Sequence, residues 1–457
     1  MKKITLIGGG LAGTLCSLYL ARRGYLVDLF ESRADIRKSP TDYGRSINLA
    51  LSCRGITGLK AMDLMDEVNK IMVPMRARAI HESNGDVHYQ PFGRHENEYI
   101  NAISRTDLNA LLLNKAEQSR NIHLHFDMKL QHVDIYKKKL QFQTKNGPHV
   151  EHVYERLIGA DGAPSSLRDA LKNEGIVEFS RDFLSHGYKE LSISKTHTAG
   201  MAREHLHLWP RDSFMLLGNP NPDDSITGSL FLAHEGKDSF AFLDNEERLV
   251  TFFQKEFPDA YSAMPNLISE FFENPTGNMS TITCSPWYYR DECLLIGDAA
   301  HGVIPFFGQG MNSAFEDCRI LDELLEQYKD DWSIVMPVFY EQRKINTDAV
   351  AQMSMDNYYE IHSDIRNPKF ILRKQVEREL MHRYPNQYVS KHVLVMFTNT
   401  PYAQAMAQGE VQSTLLDQIC YSINDIKEVN WQEIDRLMSD YDKKLANIGW
   451  QKNRSLI

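Results

Sequence analysis

Cysteine is scarce in this 457-residue chain. The 6 cysteines include no C-x-x-C pair, which excludes a zinc ribbon and a secreted disulfide framework and suits a reducing compartment. No run of about 18 apolar residues occurs, and the C-terminal stretch, Glu428 to Asp442 for example, is studded with charge, so no membrane-spanning helix or anchor is expected. Positive charge is in deficit as well. Lys and Arg total 51 against 61 Asp and Glu, a net charge of −10, and no long basic run offsets it. Nucleic acid and anionic membrane are therefore poor candidates for the main partner, and a small molecule is expected. Internal repeats and low-complexity linkers are missing. A strand of the fold begins within the first few residues, so a cleaved presequence would remove part of it, and a cytoplasmic location is expected. The length, about three times a ~150-residue domain, asks for two or three packed units.

What is present starts at the N-terminus. Lys3-Ile4-Thr5-Leu6-Ile7 reads as a buried strand that runs into Gly8-Gly9-Gly10-Leu11-Ala12-Gly13, and Leu15, Leu18 and Tyr19 then recur at helical spacing up to Gly24. A second strand, Leu26 to Phe30, ends on Glu31, about twenty residues after the glycines, which completes a βαβ dinucleotide fingerprint. In such a unit Gly8 permits the sharp turn, Gly10 lets backbone approach a pyrophosphate, and Gly13 lets the helix pack closely on the strand. Glu31 would accept from a ribose hydroxyl and repel a 2′-phosphate. That disfavours NADP in this site and leaves FAD and NAD.

Two further segments end buried strands in acids. Arg156 to Arg168 carries Asp161-Gly162 followed by Ser165 and Arg168 at D-G-x-x-S-x-x-R spacing, and Cys293 to His301 carries Gly297-Asp298 followed by Pro305 and Gly308-Gln309-Gly310-Met311-Asn312. Beyond Gly310, Phe315, Cys318, Leu321, Leu324, Leu325 and Tyr328 follow helical spacing. Gly308 to Asn312 therefore lie at a helix start, whose free N–H groups and positive dipole suit an electron-rich ring. These three motifs, in this order, resemble the aromatic-ring hydroxylases, single-component FAD-dependent monooxygenases. The resemblance implies a mixed α/β chain with a glutathione-reductase-like Rossmann FAD domain, an interleaved β-sheet substrate domain and C-terminal helices. It implies an interleaving of FAD-binding segments 1–76, 100–179 and 284–329 with substrate-domain segments 77–99 and 180–283, and a helical region 330–457 closing the pocket. It also implies that Asp298 binds the ribityl chain, that the Asp161 segment serves the FAD domain, and that Pro305, Gly308, Gly310, Met311 and Asn312 line the flavin with Leu11 and Ala12. Arg33, Ala50, Arg105 and Leu130 join the cofactor set by the same likeness, Leu130 near the adenine.

Within that family the likeness is strongest to members that act on L-kynurenine. It is carried by Gly44 to Leu51, His186 to Leu191, His207 to Pro210, Val303 to Asn312 and Pro401 to Ala405. The implied reaction is hydroxylation to 3-hydroxykynurenine with NADPH and O2, through a C4a-hydroperoxyflavin, in tryptophan degradation. The implied substrate contacts are Arg78 for the carboxylate, with Phe92, Phe307, Asn357 and Tyr402 around the amino-acid end. Arg78 fits that role because a guanidinium fork matches a carboxylate. Phe92 stands where the family usually has a tyrosine that donates to that carboxylate, and losing such a bond costs about 1.5 to 3 kcal/mol unless it is replaced.

The ring of kynurenine already carries an amino group ortho to the target carbon, so no side-chain base is expected to be catalytic. NADPH has no fingerprint of its own and would bind transiently. The stretch Ser180 to Thr283 alternates as strands do and is expected to form a sheet over the flavin. The pairs His205/His207 and His123/His125 lack the further ligands of a metal site and are expected to be half-exposed strand histidines. The alternatives are a flavin monooxygenase for another aromatic acid, which Phe92 motivates, and a non-catalytic nucleotide-binding protein that kept the fold.

Overall fold

The computed structural model describes residues 2–38, 48–145, 147–198, 200–360 and 367–448. The Gly44 to Ile47 part of the segment Gly44 to Leu51 lies outside them.

Strands that are apolar on both faces need cover on both sides, which parallel sheets provide. Lys3–Ile7, Leu157–Gly159 and Cys293–Leu295 are of this kind and sit side by side. The six-stranded sheet has the order Tyr288–Tyr289, Cys293–Leu295, Leu157–Gly159, Lys3–Ile7, Leu26–Phe30, Ile122–His125, antiparallel only at its first pair. Its register sets Ile7 beside both Gly159 and Phe30, and Gly159 beside Leu295. The residues that follow, Gly8, Glu31, Ala160-Asp161 and Gly297-Asp298, therefore emerge along one carboxyl-terminal edge, where ligands of open α/β sheets bind.

The second large sheet is seven-stranded. Its order is Gly277–Ser285, Glu178–Ile193, Ile226–Ala233, Met215–Pro220, His205–Pro210, Ala77–His81, Val87–Pro91. Ala77–His81 pairs in parallel with His205–Pro210, so the short excursion after residue 76 joins a sheet built mostly from residues beyond 178. Alternation decides the faces. Leu230 and Leu232 face a core with Leu249, Phe252, Phe253 and Phe257, whereas Phe231 faces Ile304, Phe306 and Tyr358. The first of these cores corrects the expectation of an all-strand middle. Helices Glu246–Glu256, Pro258–Ser262 and Leu267–Glu273 cover the outer face, the first capped by the Asn245 side chain, which accepts from the N–H of Arg248. His207 is a second correction: it is only 1% exposed, with its ring nitrogens at His81 and the Ala202 carbonyl. His123 and His125 stand more openly, both against Asp28.

Two small antiparallel sheets complete the strands, Asn48–Leu51, Ile100–Ser104, Met72–Met75 and Met128–Asp134, Lys139–Thr144, His149–Val153. After helix Gly310–Gln327 the chain is helical: Trp332–Tyr359, Pro368–Arg383, Lys391–Phe397, Tyr402–Cys420 and Trp431–Asn447. Phe92, Phe307, Met353, Leu394, Met396 and Tyr402 share one apolar cluster, which places these helices against the turn Pro305–Phe307. Among the described residues no helix is long and apolar enough to cross a membrane.

Candidate active site

The glycine turn is built by backbone crowding. Gly8 has φ +103°, and a Cβ there would fall 2.4 Å from the Ala160 carbonyl oxygen, while one on Gly13 would fall 1.9 Å from the Gly8 carbonyl oxygen. Both positions exclude any side chain. Gly10 differs: it caps helix Leu11–Arg22, and no heavy atom lies within 4 Å of where its Cβ would be, which leaves room for a phosphate group against the helix start. Ala12, next to Leu11 in the first turn, approaches Gly297, where an added Cβ would come within 3.2 Å of the Ala12 methyl. Glu31 is 7% exposed. Its Oε2 accepts from the N–H of Gly9 at 2.8 Å, and its Oε1 accepts from the backbone N–H and the Nε of Arg33, both at 2.9 Å. Burial opposes its charge, but the Arg33 guanidinium and these N–H groups outweigh it and hold the carboxyl below its ordinary range. Glu31 thus braces the glycine turn.

Asp161 and Asp298 diverge. The Asp161 carboxylate accepts from the Ser165 hydroxyl at 2.5 Å and the Ser166 N–H at 2.7 Å, so its side chain caps helix Ser166–Asn173 and its backbone is what adjoins Gly8. Asp298 is exposed at the sheet edge, and its carboxylate makes no hydrogen bond or ion pair among the described residues. Asn312 is 0% exposed. Its amide donates to the carbonyls of Ala50 at 2.8 Å and Gly308 at 2.9 Å, and its Oδ1 accepts from the N–H of Ser52 at 2.9 Å. It pins the left-handed Gly308 turn, φ +62°, to strand Asn48–Leu51, so only its backbone N–H, with those of Gly310 and Met311, is left to face a ligand. Arg105 is exposed at the start of helix Arg105–Gln118; burial pushes the Tyr188 phenol up, and the Arg105 charge works against it. The Leu130 side chain is buried in the core opposite Phe142, on the strand whose first residue, Met128, donates its N–H to the Glu31 carbonyl. An open Gly10, an unpartnered Asp298 and a helix start pinned by Asn312, all on one edge, fit the pyrophosphate, ribityl and ring portions of FAD.

The residues expected to meet the substrate converge beside the same turn. Arg78, on Ala77–His81, has its guanidinium 4.5 Å from the Phe92 ring centroid and its Nη2 3.5 Å from Nε2 of His392. No carboxylate among the described residues pairs with Arg78. Burial, reinforced by the Arg378 charge, lowers it to about 10. The residue is half-buried. His392, on helix Lys391–Phe397, is the residue that sequence reasoning missed. Its ring stacks on Phe92 with centroids 6.4 Å apart and meets Phe307 edge-on at 6.2 Å. The only signal was one polar ring directly before the apolar run Val393 to Met396.

The other two expected contacts are already engaged. Asn357 donates its amide to the Phe306 carbonyl. Tyr402 is 0% exposed, with its hydroxyl donating to Oε1 of Gln309 at 2.9 Å and its ring 3.8 Å from the Arg54 guanidinium. Both side chains hold the turn from Pro305 to Gly310 rather than point into open space.

A buried ionic chain underlies both halves. Arg54 Nε lies 3.2 Å from Glu316, Arg343 joins Glu316 at 2.6 Å to Asp317 at 2.7 Å, and Asp317 accepts from His301 at 2.6 Å and the Gly297 N–H at 2.9 Å. Burial opposes the Asp317 charge, but His301 and Arg343 outweigh it and keep the carboxyl well below its ordinary range. The chain runs from the turn before Asp298 to the ring of Tyr402.

Known proteins resemble this chain in sequence and in fold. The FAD binding domain family matches residues 1–331. The chain is 80% identical over 448 residues to the kynurenine 3-monooxygenase of Legionella pneumophila (strain Corby), covering 98% of this chain and 100% of that protein. It is 39% identical over 438 residues to the kynurenine 3-monooxygenase of Myxococcus xanthus (strain DK1622), covering 95% and 94%. Among solved structures, p-nitrophenol 4-monooxygenase from Pseudomonas putida DLL-E4 superposes with a TM-score of 0.66 at 15% identity over 92% of this chain and 98% of that one. The tetrameric 2-methyl-3-hydroxypyridine-5-carboxylic acid oxygenase does so with 0.65 at 18% identity over 81% and 95%. These structures share the fold, and the sequence relatives fix the family: the chain belongs to the kynurenine 3-monooxygenases, within the FAD binding domain family.

Proposed function

We propose that this chain hydroxylates L-kynurenine to 3-hydroxykynurenine, with FAD as bound cofactor and NADPH and O2 as co-substrates. The observation that carries the reading is Arg78: a half-buried guanidinium without a carboxylate partner among the described residues, set among Phe92, His392 and Phe307 on the turn that leads into the flavin-binding helix start. A buried cation lacking its anion is the complement of a ligand carboxylate. When bound, FAD supplies the reduction of O2 and the transfer of one oxygen atom.

The chain's own residues do the rest. Gly8, Gly10, Gly13 and Glu31 seat the nucleotide, Asp298 accepts from the ribityl hydroxyls, and the N–H groups of Gly310, Met311 and Asn312 face the ring where negative charge collects. Arg78 fixes the amino-acid end of the substrate. Phe92 and Phe307, with Met353 and Met396 behind them, keep water from the reacting face. Asn357 and Tyr402 hold the turn between the two ligands, a role supported by their bonds to Phe306 and Gln309. No base is needed, because the substrate's amino group already enriches the target carbon. NADPH docks transiently, since FAD takes the one dinucleotide fingerprint. All six cysteines are unpaired, which supports a cytoplasmic setting.

The test is turnover of kynurenine under labelled oxygen gas with mass analysis of the product. One labelled atom per hydroxykynurenine, matched to NADPH consumed, is expected. NADPH consumption that yields only hydrogen peroxide would reject the assignment.

A further inference from the structure

We propose that His392 is a second carboxylate-recognising side chain that takes up a proton as substrate binds, so that affinity for the amino-acid end is linked to pH. This rests on the reading of Arg78 given above. The geometry supplies the first support. Nε2 of His392 lies 3.5 Å from Nη2 of Arg78, and the imidazole stacks on Phe92, the residue that cannot donate to a carboxylate. A carboxylate on the Arg78 fork would thus lie beside a ring nitrogen able to donate to it when protonated.

Charge supplies the second. The charges acting on His392 are positive: Arg78 from strand Ala77–His81, Lys391 on its own helix, and Lys374 from helix Pro368–Arg383, the last already paired with Glu360 and Glu377. Arg378, on the same helix as Lys374, acts on Arg78. No carboxylate among the described residues pairs with either Arg78 or His392. Burial and these cations hold the imidazole well below its ordinary range, so in the free protein it is neutral and its Nε2 lone pair accepts from Arg78.

An arriving carboxylate reverses that balance. It supplies the negative charge that Arg78 and His392 lack, takes over the Arg78 fork, and leaves Nε2 facing an anion. Protonated, the ring donates a charge-assisted bond to it. The proton comes from solvent, and one is taken up for each substrate bound. A neutral histidine that merely fills space would titrate identically with and without ligand.

The experiment is calorimetric binding of L-kynurenine to the FAD-loaded protein, in buffers of different ionisation enthalpy, between about pH 5.5 and 7.5. Proton uptake approaching one per substrate is expected, with Kd rising up to about tenfold per pH unit inside the window. His392→Gln keeps a donor that cannot titrate and should flatten the pH dependence to under about twofold, with the visible flavin spectrum confirming a folded holoprotein. A kynurenine analogue lacking the carboxylate should show no uptake in the parent protein. Substrate binding without proton uptake, or an unchanged pH profile in His392→Gln, overturns the inference even when hydroxykynurenine is formed. Proton-linked binding without hydroxykynurenine would instead reject the assigned reaction, and failure of kynurenine to bind rejects both.

Discussion

Replacing Arg78 by Met separates what the free protein wants from what the ligand wants. The guanidinium sits over Phe92 and beside a neutral His392, with no anion among the described residues to balance it. Burial and the Arg378 charge both oppose its protonated form, so the guanidinium holds its charge at a cost in lost hydration and in repulsion. Met keeps the length of the stem and its packing on Phe92 but has no charge to desolvate, so Arg78→Met should be more stable than the parent by about 1 to 3 kcal/mol. Kynurenine affinity should move the other way, losing about 1.5 to 3 kcal/mol with the charge-assisted contact, roughly 10- to 150-fold in Kd. Arg78→Lys keeps the charge and loses the fork, and should fall between the two. Denaturant unfolding of the holoprotein with and without kynurenine reads both effects. A variant less stable than the parent would refute the desolvation argument. Unchanged kynurenine affinity would refute the placement of the carboxylate.

Gly13→Ala drives a methyl into the Gly8 carbonyl, so helix Leu11–Arg22 must retreat; stability should fall by about 1 to 3 kcal/mol and purified protein should lose most of its flavin absorbance. Arg343→Met leaves Glu316 and Asp317 without their shared guanidinium and should destabilise by about 3 to 5 kcal/mol in denaturant melts; a loss below about 1 kcal/mol would show that the ionic chain is dispensable. His207 is lowered to about 4, chiefly by burial and then by the neighbouring His81 charge. Its unfolded form binds a proton that the folded form refuses, so its contribution is complete above about pH 6.5 and is lost as pH falls toward 4. Chemical melts across that range should show His207→Gln with a flatter acid limb than the parent.

The parts that were legible from sequence are those whose signals are local. The βαβ unit from Lys3 to Glu31 folds as read because its turn glycines, helix spacing and terminal acid all lie within thirty residues of one another. The helices from Glu246 to Glu273 carry a local signal too, Leu249, Phe252 and Phe253 at helical spacing behind an Asn245 cap, but strand alternation on either side masks it. The site was harder, because which way a polar group is spent depends on residues far along the chain. Asp161 and Asp298 both follow a buried strand and a glycine lies next to each, yet the first is consumed by Ser165 and Ser166 and the second is open. Tyr402 lies 93 residues from Gln309, its hydrogen-bond partner, and His392 is 314 from Arg78; no periodicity encodes either meeting.

The sheet edge that gathers Gly8, Glu31, Ala160-Asp161 and Gly297-Asp298 has a consequence for the order of events during synthesis. The opening strand Lys3–Ile7 has one neighbour close behind it, Leu26–Phe30, but its other neighbour is Leu157–Gly159, which in turn waits for Cys293–Leu295. For most of translation the first strand therefore has an unprotected flank, and the dinucleotide cannot find its full set of contacts until roughly the first two-thirds of the chain has left the ribosome. Cofactor capture is thus a late step that fastens a nearly finished sheet, and nascent chains stalled before residue 293 should emerge colourless and prone to stick to one another.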